Sequence, residues 1–139
     1  MASTDYVVID TNVLRYFTGG SNPGNRSQRY RALLAGRRIA LAYHAETELR
    51  GFVPQSPSRL AARDTILATS VKLPPGDATQ VWYARAAAKR RELHLDGAVS
   101  DNDLWIIAAA AEYECPYMSH DEGACAVARS LGLEVLTAL

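Results

Sequence analysis

The apolar positions of this chain fall into short runs separated by longer stretches of helical spacing. Tyr6–Ile9 (YVVI) is dominated by β-branched residues and is too short for a helix, so it reads as a buried strand. Residues 39–42, Val71–Leu73, 116–119 and 133–136 have the same character. Between them the period changes. Residues 13–17 read as helix, and 19–25 (GGSNPGN) as a turn-rich loop. Residues 26–35 place Tyr30, Leu33 and Leu34 on one helical face, stopped by Gly36. A helix over 44–52 closes near Gly51 and Pro54. Another over 58–70 takes Ser58 as its N-cap, with Leu60, Ile66 and Leu67 apolar. Pro74-Pro75-Gly76 breaks the chain. Asp77 then caps a long helix to about Leu95, with Val81, Trp82, Ala86 and Leu93 turned inward. The segment 100–112 is helical and apolar almost all round, and 122–131 is a helix ended by Gly132.

Strands alternating with helices predict an α/β fold. The expectation is a three-layer α/β/α arrangement around a short central parallel sheet of four to five strands. At 139 residues the chain is expected to be a single domain over 1–139. No apolar run reaches about 18 residues, so no membrane span is expected. The opening MASTD lacks a basic region followed by an apolar core, so a cytoplasmic protein is the default expectation. Cys115 and Cys125 have no second pair to make a zinc site and read as free, buried thiols.

The zero net charge conceals a split. Residues 11–95 hold fourteen Lys and Arg against five Asp and Glu, whereas residues 96–139 hold one against eight. Thirteen of the fifteen basic residues are Arg, which binds phosphate bidentately and stacks on bases. A basic face beside an acidic pocket is therefore compatible with neutrality.

In open parallel sheets, ligands bind beyond the carboxyl ends of the strands. Asp10 follows the first strand, and Asp121 lies two residues past the strand at 116–119. Each could equally cap the helix it precedes. Ser100 and Asp103 resemble a capping pair, on a helix too apolar to lie at the surface. Glu48 sits mid-helix beside Glu46, and the two face different directions.

Taken in order, Ile9-Asp10-Thr11-Asn12-Val13, Glu48-Leu49-Arg50-Gly51, Asn102-Asp103-Leu104-Trp105-Ile106-Ile107-Ala108-Ala109 and Ser119-His120-Asp121 resemble the PIN-domain ribonucleases. Within them they are most similar to VapC-type toxins of bacterial toxin–antitoxin pairs. The resemblance spans nearly the whole chain, including the closing Gly132-Leu133-Glu134-Val135. It implies that Asp10, Glu48, Asp103 and Asp121 are catalytic and hold the metal. Thr11, Asn12 and Ser119 give hydrogen-bonding support, and Asp101 is a further outer carboxylate. His44 departs from the Ser or Thr often found there. Glu122 departs after Asp121, where it could share the role of that residue.

The implied activity is a Mg²⁺- or Mn²⁺-dependent endoribonuclease leaving 5′-phosphate and 3′-hydroxyl ends. The implied setting is a type II, VapBC-like pair with a small cognate antitoxin, and the implied state a homodimer. The alternative is a PIN nuclease of RNA processing without an antitoxin. The chemistry suits the residues, because hard divalent cations prefer carboxylates and water. Such ions acidify a bound water and neutralise phosphate charge. RNA also needs basic flanks, for which Arg15, Arg50, Arg85 and Lys89 are the candidates. Of the histidines, His120 is the one placed to touch substrate. A receiver domain would want an adjacent acidic pair at the first strand and a late Lys. A haloacid-dehalogenase-type phosphatase would want Asp-x-Asp, and Asp10-Thr11-Asn12 lacks the second Asp.

Overall fold

Five strands hydrogen-bond side by side, all parallel: β1 (Tyr6–Ile9), β2 (Arg38–Ala42), β3 (Val71–Leu73), β4 (Tyr117–Met118) and β5 (Val135–Leu136), in the order β3-β2-β1-β4-β5. This computed structural model describes residues 5–19 and 22–139. The start of MASTD (residues 1–4) and residues 20–21 of the 19–25 loop lie outside the described residues. The helices are α1 (Thr11–Phe17), α2 (Arg26–Leu34), α3 (Tyr43–Gly51), α4 (Pro57–Thr69), α5 (Asp77–Glu92), α6 (Asp101–Glu112) and α7 (Glu122–Ser130).

Right-handed crossovers dictate the layers. The chain steps outward from β1 to β3, which puts α1–α4 on one face. It then crosses back to β4 and on to β5, which puts α5–α7 on the other. The helix contacts agree: α1 meets α2 and α3, and α3 meets α4, while α5, α6 and α7 meet one another. A strand covered on both faces must be apolar throughout. Val7, Val8 and Ile9 of β1 are accordingly all fully buried. The all-round apolar character of α6 has the same cause. It packs on β1 and β2 and against α3, α5 and α7, burying Leu104 and the run Ile106–Ala111. Full burial of a Leu or Ile side chain contributes about 1.5–3 kcal/mol.

Several local expectations are corrected. The cap of α4 is Ser56, whose Oγ accepts from the Arg59 amide at 3.5 Å, with Pro57 as the first helical residue. Pro is pre-organised for that place, which Ser58 cannot take once the helix has begun. Asp77 is the first residue of α5 rather than its cap; Gly76 caps, and its amide donates to Thr79 Oγ1 at 2.8 Å. That helix ends at Glu92, short of Leu95. Its inner face is Thr79, Tyr83, Ala86 and Ala87, whereas Val81 and Leu93 are exposed. Small alanines win because they let α5 lie close against α6. Among the described residues, no helix is long and apolar enough to cross a membrane. Both cysteines are free and buried.

The strand order reverses at β1, with β2 on one side and β4 on the other. In open parallel sheets this reversal is where ligands bind, beyond the carboxyl ends.

Candidate active site

Ile9 pairs with Met118 in register, so β1 and β4 end together, and the Asp10 amide donates to the Met118 carbonyl at 2.9 Å. The residues after each strand therefore face one another. Asp10 is only 2% exposed. It caps α1, its Oδ1 accepting from the Thr11 amide at 2.7 Å. Its Oδ2 accepts from Tyr117 Oη at 2.6 Å and from Ser119 Oγ at 3.1 Å.

Ser119 joins the two strand ends. Its Oγ accepts from Asn12 Nδ2 at 3.3 Å and from the Asp121 amide at 3.1 Å while donating to Asp10. Asn12 Oδ1 in turn accepts from the His120 amide at 3.2 Å. Asp121 caps α7 through Oδ1, which accepts from the Ala124 amide at 2.8 Å. Gly123 leaves room there, since a Cβ at that position would come within 3.4 Å of the same oxygen.

The other two acids arrive on helices. Asp103 and Ser100 form a reciprocal capping box: Ser100 N donates to Asp103 Oδ2 at 3.2 Å, and Asp103 N donates to Ser100 Oγ at 3.1 Å. Glu48 Oε1 accepts from Thr11 Oγ1 at 2.9 Å and from Asn102 Nδ2. Thr11 thus ties the backbone beside Asp10 to the carboxylate of Glu48.

The electrostatics link these groups in pairs. Burial, then the charge of Asp103, pushes the Asp10 carboxyl up to about 6. Burial raises Asp103 as well; Ser100 opposes this, and the charges of Asp121 and Glu48 add to it. The charges that raise Asp10 and Asp103 are carboxylates. Tyr117 is held far above the ordinary phenol range by burial and by Asp10, so it stays a hydrogen-bond donor. Among the described residues, no three acidic, His or Cys side chains already stand close enough to cage an ion. Glu48, Asp103 and Asp121 each engage one oxygen in a cap or bridge. Uncompensated carboxylates also repel one another.

The donors are all hard oxygens, a set that fits Mg²⁺, Mn²⁺ or Ca²⁺ and suits neither copper nor an iron–sulfur group. A buried carboxylate beside other carboxylates, with no salt-bridge partner among the described residues, fits a divalent cation as its counter-charge.

The remaining candidates lie elsewhere. Asp101 is turned to Arg90, whose Nη1 donates to it at 2.9 Å. Arg15 lies over the Phe52 ring at 5.6 Å. Arg50 pairs with Glu46 at 2.9 Å, and Lys89 with Glu92 at 3.3 Å. Arg85 covers Trp82 at 4.7 Å. Glu122 is exposed on the first turn of α7. His120 packs edge-on between Tyr16 and Tyr30, and burial with the charges of Arg26 and Arg29 lowers its pKa. Those two arginines are basic neighbours of the site that spacing did not reveal. Tyr117 and Asn102 were also missed. A buried Tyr needs a partner for its hydroxyl, and that was the available signal for Tyr117.

The model of the PIN domain family matches residues 7–130. The chain belongs to the PIN domain family. Solved structures with this PIN fold include VapBC-5 of Mycobacterium tuberculosis, a member of the VapBC family of toxin–antitoxin systems. It has 24% identity and a TM-score of 0.68, over 96% of this chain and 99% of that one. VapBC2 of Rickettsia felis, bound to a DNA fragment from its promoter, has 14% identity and a TM-score of 0.67, over 95% and 97%. FitAcB of Neisseria gonorrhoeae has 16% identity and a TM-score of 0.65, over 94% and 96%. At these identities the likeness is one of fold. No curated protein matches the chain.

Proposed function

We propose that this PIN domain, over residues 1–139, is a metal-dependent endoribonuclease and the toxin of a type II, VapBC-like toxin–antitoxin pair. The observation that carries the reading is the buried Asp10, raised to about 6 by burial and by Asp103, which Asp121 and Glu48 raise in turn. The toxin setting draws support from the toxin–antitoxin systems named among the structural neighbours.

Asp10, Glu48, Asp103 and Asp121 would hold Mg²⁺ or Mn²⁺. Such an ion, once bound, supplies an acidified water and neutralises the charge of the scissile phosphate. The chain's own residues do the rest. Tyr117, Ser119 and the Thr11 amide fix both oxygens of Asp10, so the carboxylate meets its ligand pre-aimed. Thr11 and Asn102 orient Glu48 on the opposite wall. The Arg-rich segment upstream of residue 96 supplies phosphate contacts to the RNA strand. The cognate partner is a small antitoxin, the chain works as a homodimer, and its compartment is the cytoplasm.

The purified chain should cleave single-stranded RNA with Mg²⁺ or Mn²⁺ and stop in EDTA. Cleavage that persists undiminished in EDTA would remove the metal from the mechanism. A small DNA-binding protein encoded beside this gene should bind the chain and suppress cleavage. If no such neighbour exists, the processing nuclease replaces the toxin.

A further inference from the structure

A cavity of about 320 Å³ lies beside the acids and takes no part in holding them. Its wall is aromatic. His44 and Trp105 stack with centroids 5.1 Å apart and planes 2° from parallel. Tyr83 stacks behind Trp105 at 4.2 Å, and Tyr43 meets His44 edge-on at 5.6 Å. Tyr43 is 55% exposed, so the ring wall opens to solvent rather than sealing a core. The Pro75–Gly76 turn, Asp77 and Gln80 close the other side.

Two rungs link α3 to α6: Glu48 with Asn102, and His44 with Trp105. His44 and Glu48 are four residues apart on α3, and Asn102 and Trp105 three apart on α6, so the rungs lie roughly 4.5–6 Å from each other along the helix axes. The aromatic rung is therefore the neighbour of the acidic rung, and the charge of Glu48 acts on His44. Among the described residues no Lys or Arg lines the cavity, and Asp77 places a carboxylate in it. That charge repels a phosphate. A carboxylate and an amide at the margin instead match the polar edge of a planar base, with the exposed ring of Tyr43 to stack on.

We propose that this cleft is a nucleobase subsite, receiving one unstacked base of the strand whose backbone lies over the acids. The proposal rests on the ribonuclease reading and extends it to base recognition. Flat, solvent-open aromatic faces beside a backbone track are how single strands are held.

The test needs no catalysis. Trp82 and Trp105 are the two tryptophans, so Trp82→Phe leaves Trp105 as sole reporter. Titrating that protein, metal-free, with the four ribonucleoside 5′-monophosphates should quench Trp105 saturably. Ribose 5-phosphate, which lacks a base, should not. Adding Tyr43→Ala should weaken nucleotide binding by about tenfold, and Tyr43→Phe, which keeps the ring, should restore it. Equal quenching by ribose 5-phosphate, or none by any nucleotide, would overturn the subsite. So would a Tyr43→Ala protein that changes from dimer to monomer while no nucleotide quenches, since the rings would then be a contact between copies. RNA cleavage without quenching defeats the subsite alone. Quenching by a chain that cleaves no RNA defeats the ribonuclease reading and leaves a nucleotide-binding cleft.

Discussion

Two helices of this molecule begin under the same rule and with opposite consequences. Ser56 caps α4 with a neutral hydroxyl at the protein's margin. Asp10 caps α1 with a carboxylate from which water has been removed. The first satisfies an otherwise unpaired amide at small cost. The second also satisfies an amide, yet three hydrogen bonds do not offset the loss of solvation, and the neighbouring Asp103 adds to the cost. A cap that serves stability alone has no reason to be a buried acid facing other acids. The contrast separates a plain structural cap from a candidate chemical one.

Asp10→Asn tests the contrast most severely. The amide can still cap α1, so the chain should fold, but one charge of the ion site is gone. Loss of an outer hydrogen-bond partner at a metal site costs roughly 10–100-fold; loss of this carboxylate should cost more. RNA cleavage at matched metal is the measurement, and near-wild-type cleavage would return Asp10 to the role of a plain cap.

The next effect is on stability. With its pKa raised from 3.8 to about 6 by folding, Asp10 binds its proton more tightly in the native state than in the unfolded one. Its ionisation therefore costs the metal-free protein nothing below about pH 4, a growing amount between 4 and 6, and a constant amount above. That penalty is on the order of 3 kcal/mol. Denaturant unfolding in EDTA should show stability from this group falling as pH rises through that window, and Asp10→Asn should flatten the fall. Mg²⁺ or Mn²⁺ should raise the melting temperature at pH 7.5 and do little at pH 4.5. An equal rise at both values would count against a carboxylate site.

Tyr117→Phe comes third. It removes a donor to Asp10 while keeping the ring in the core, so metal-dependent activity should fall by about 10–100-fold. The apparent acid limb of the pH–rate profile should move to higher pH, because the lost bond favoured the ionised carboxylate. Ser56→Ala is the smallest change. It should cost about 1 kcal/mol in unfolding experiments and leave cleavage untouched. An activity loss there would blur the distinction between the two caps.

Much of the site was legible because its anchors are local. A run of β-branched residues followed by Asp declares both a strand and its end, and the apolar body of α6 places Asp103 at a buried rim. What escaped depended on tertiary register. Tyr117 reads as core in Tyr117-Met118; only the pairing of Ile9 with Met118 sets its hydroxyl against Asp10. Asn102 reads as a helix-start residue until α3 lies opposite. Val81 and Leu93 were misplaced because apolar spacing outvoted the alanines that permit close approach. The cap errors at Ser58 and Asp77 are shifts of one or two residues, the usual uncertainty at helix ends. Helical spacing chose Arg85 and Lys89, which have local partners. It passed over Arg26 and Arg29, whose charges reach His120.

The partners that hold Asp10 come late in the chain: Tyr117 and Ser119 lie 107 and 109 residues downstream. During synthesis the central strand must wait for β4, because its neighbour on that side is made near the end. Contacts of such long sequence separation form slowly. A nascent chain still threaded through the ribosome would carry Asp10 without the hydroxyls that aim it. The surroundings of Asp10 are then complete only once β4 has docked beside β1.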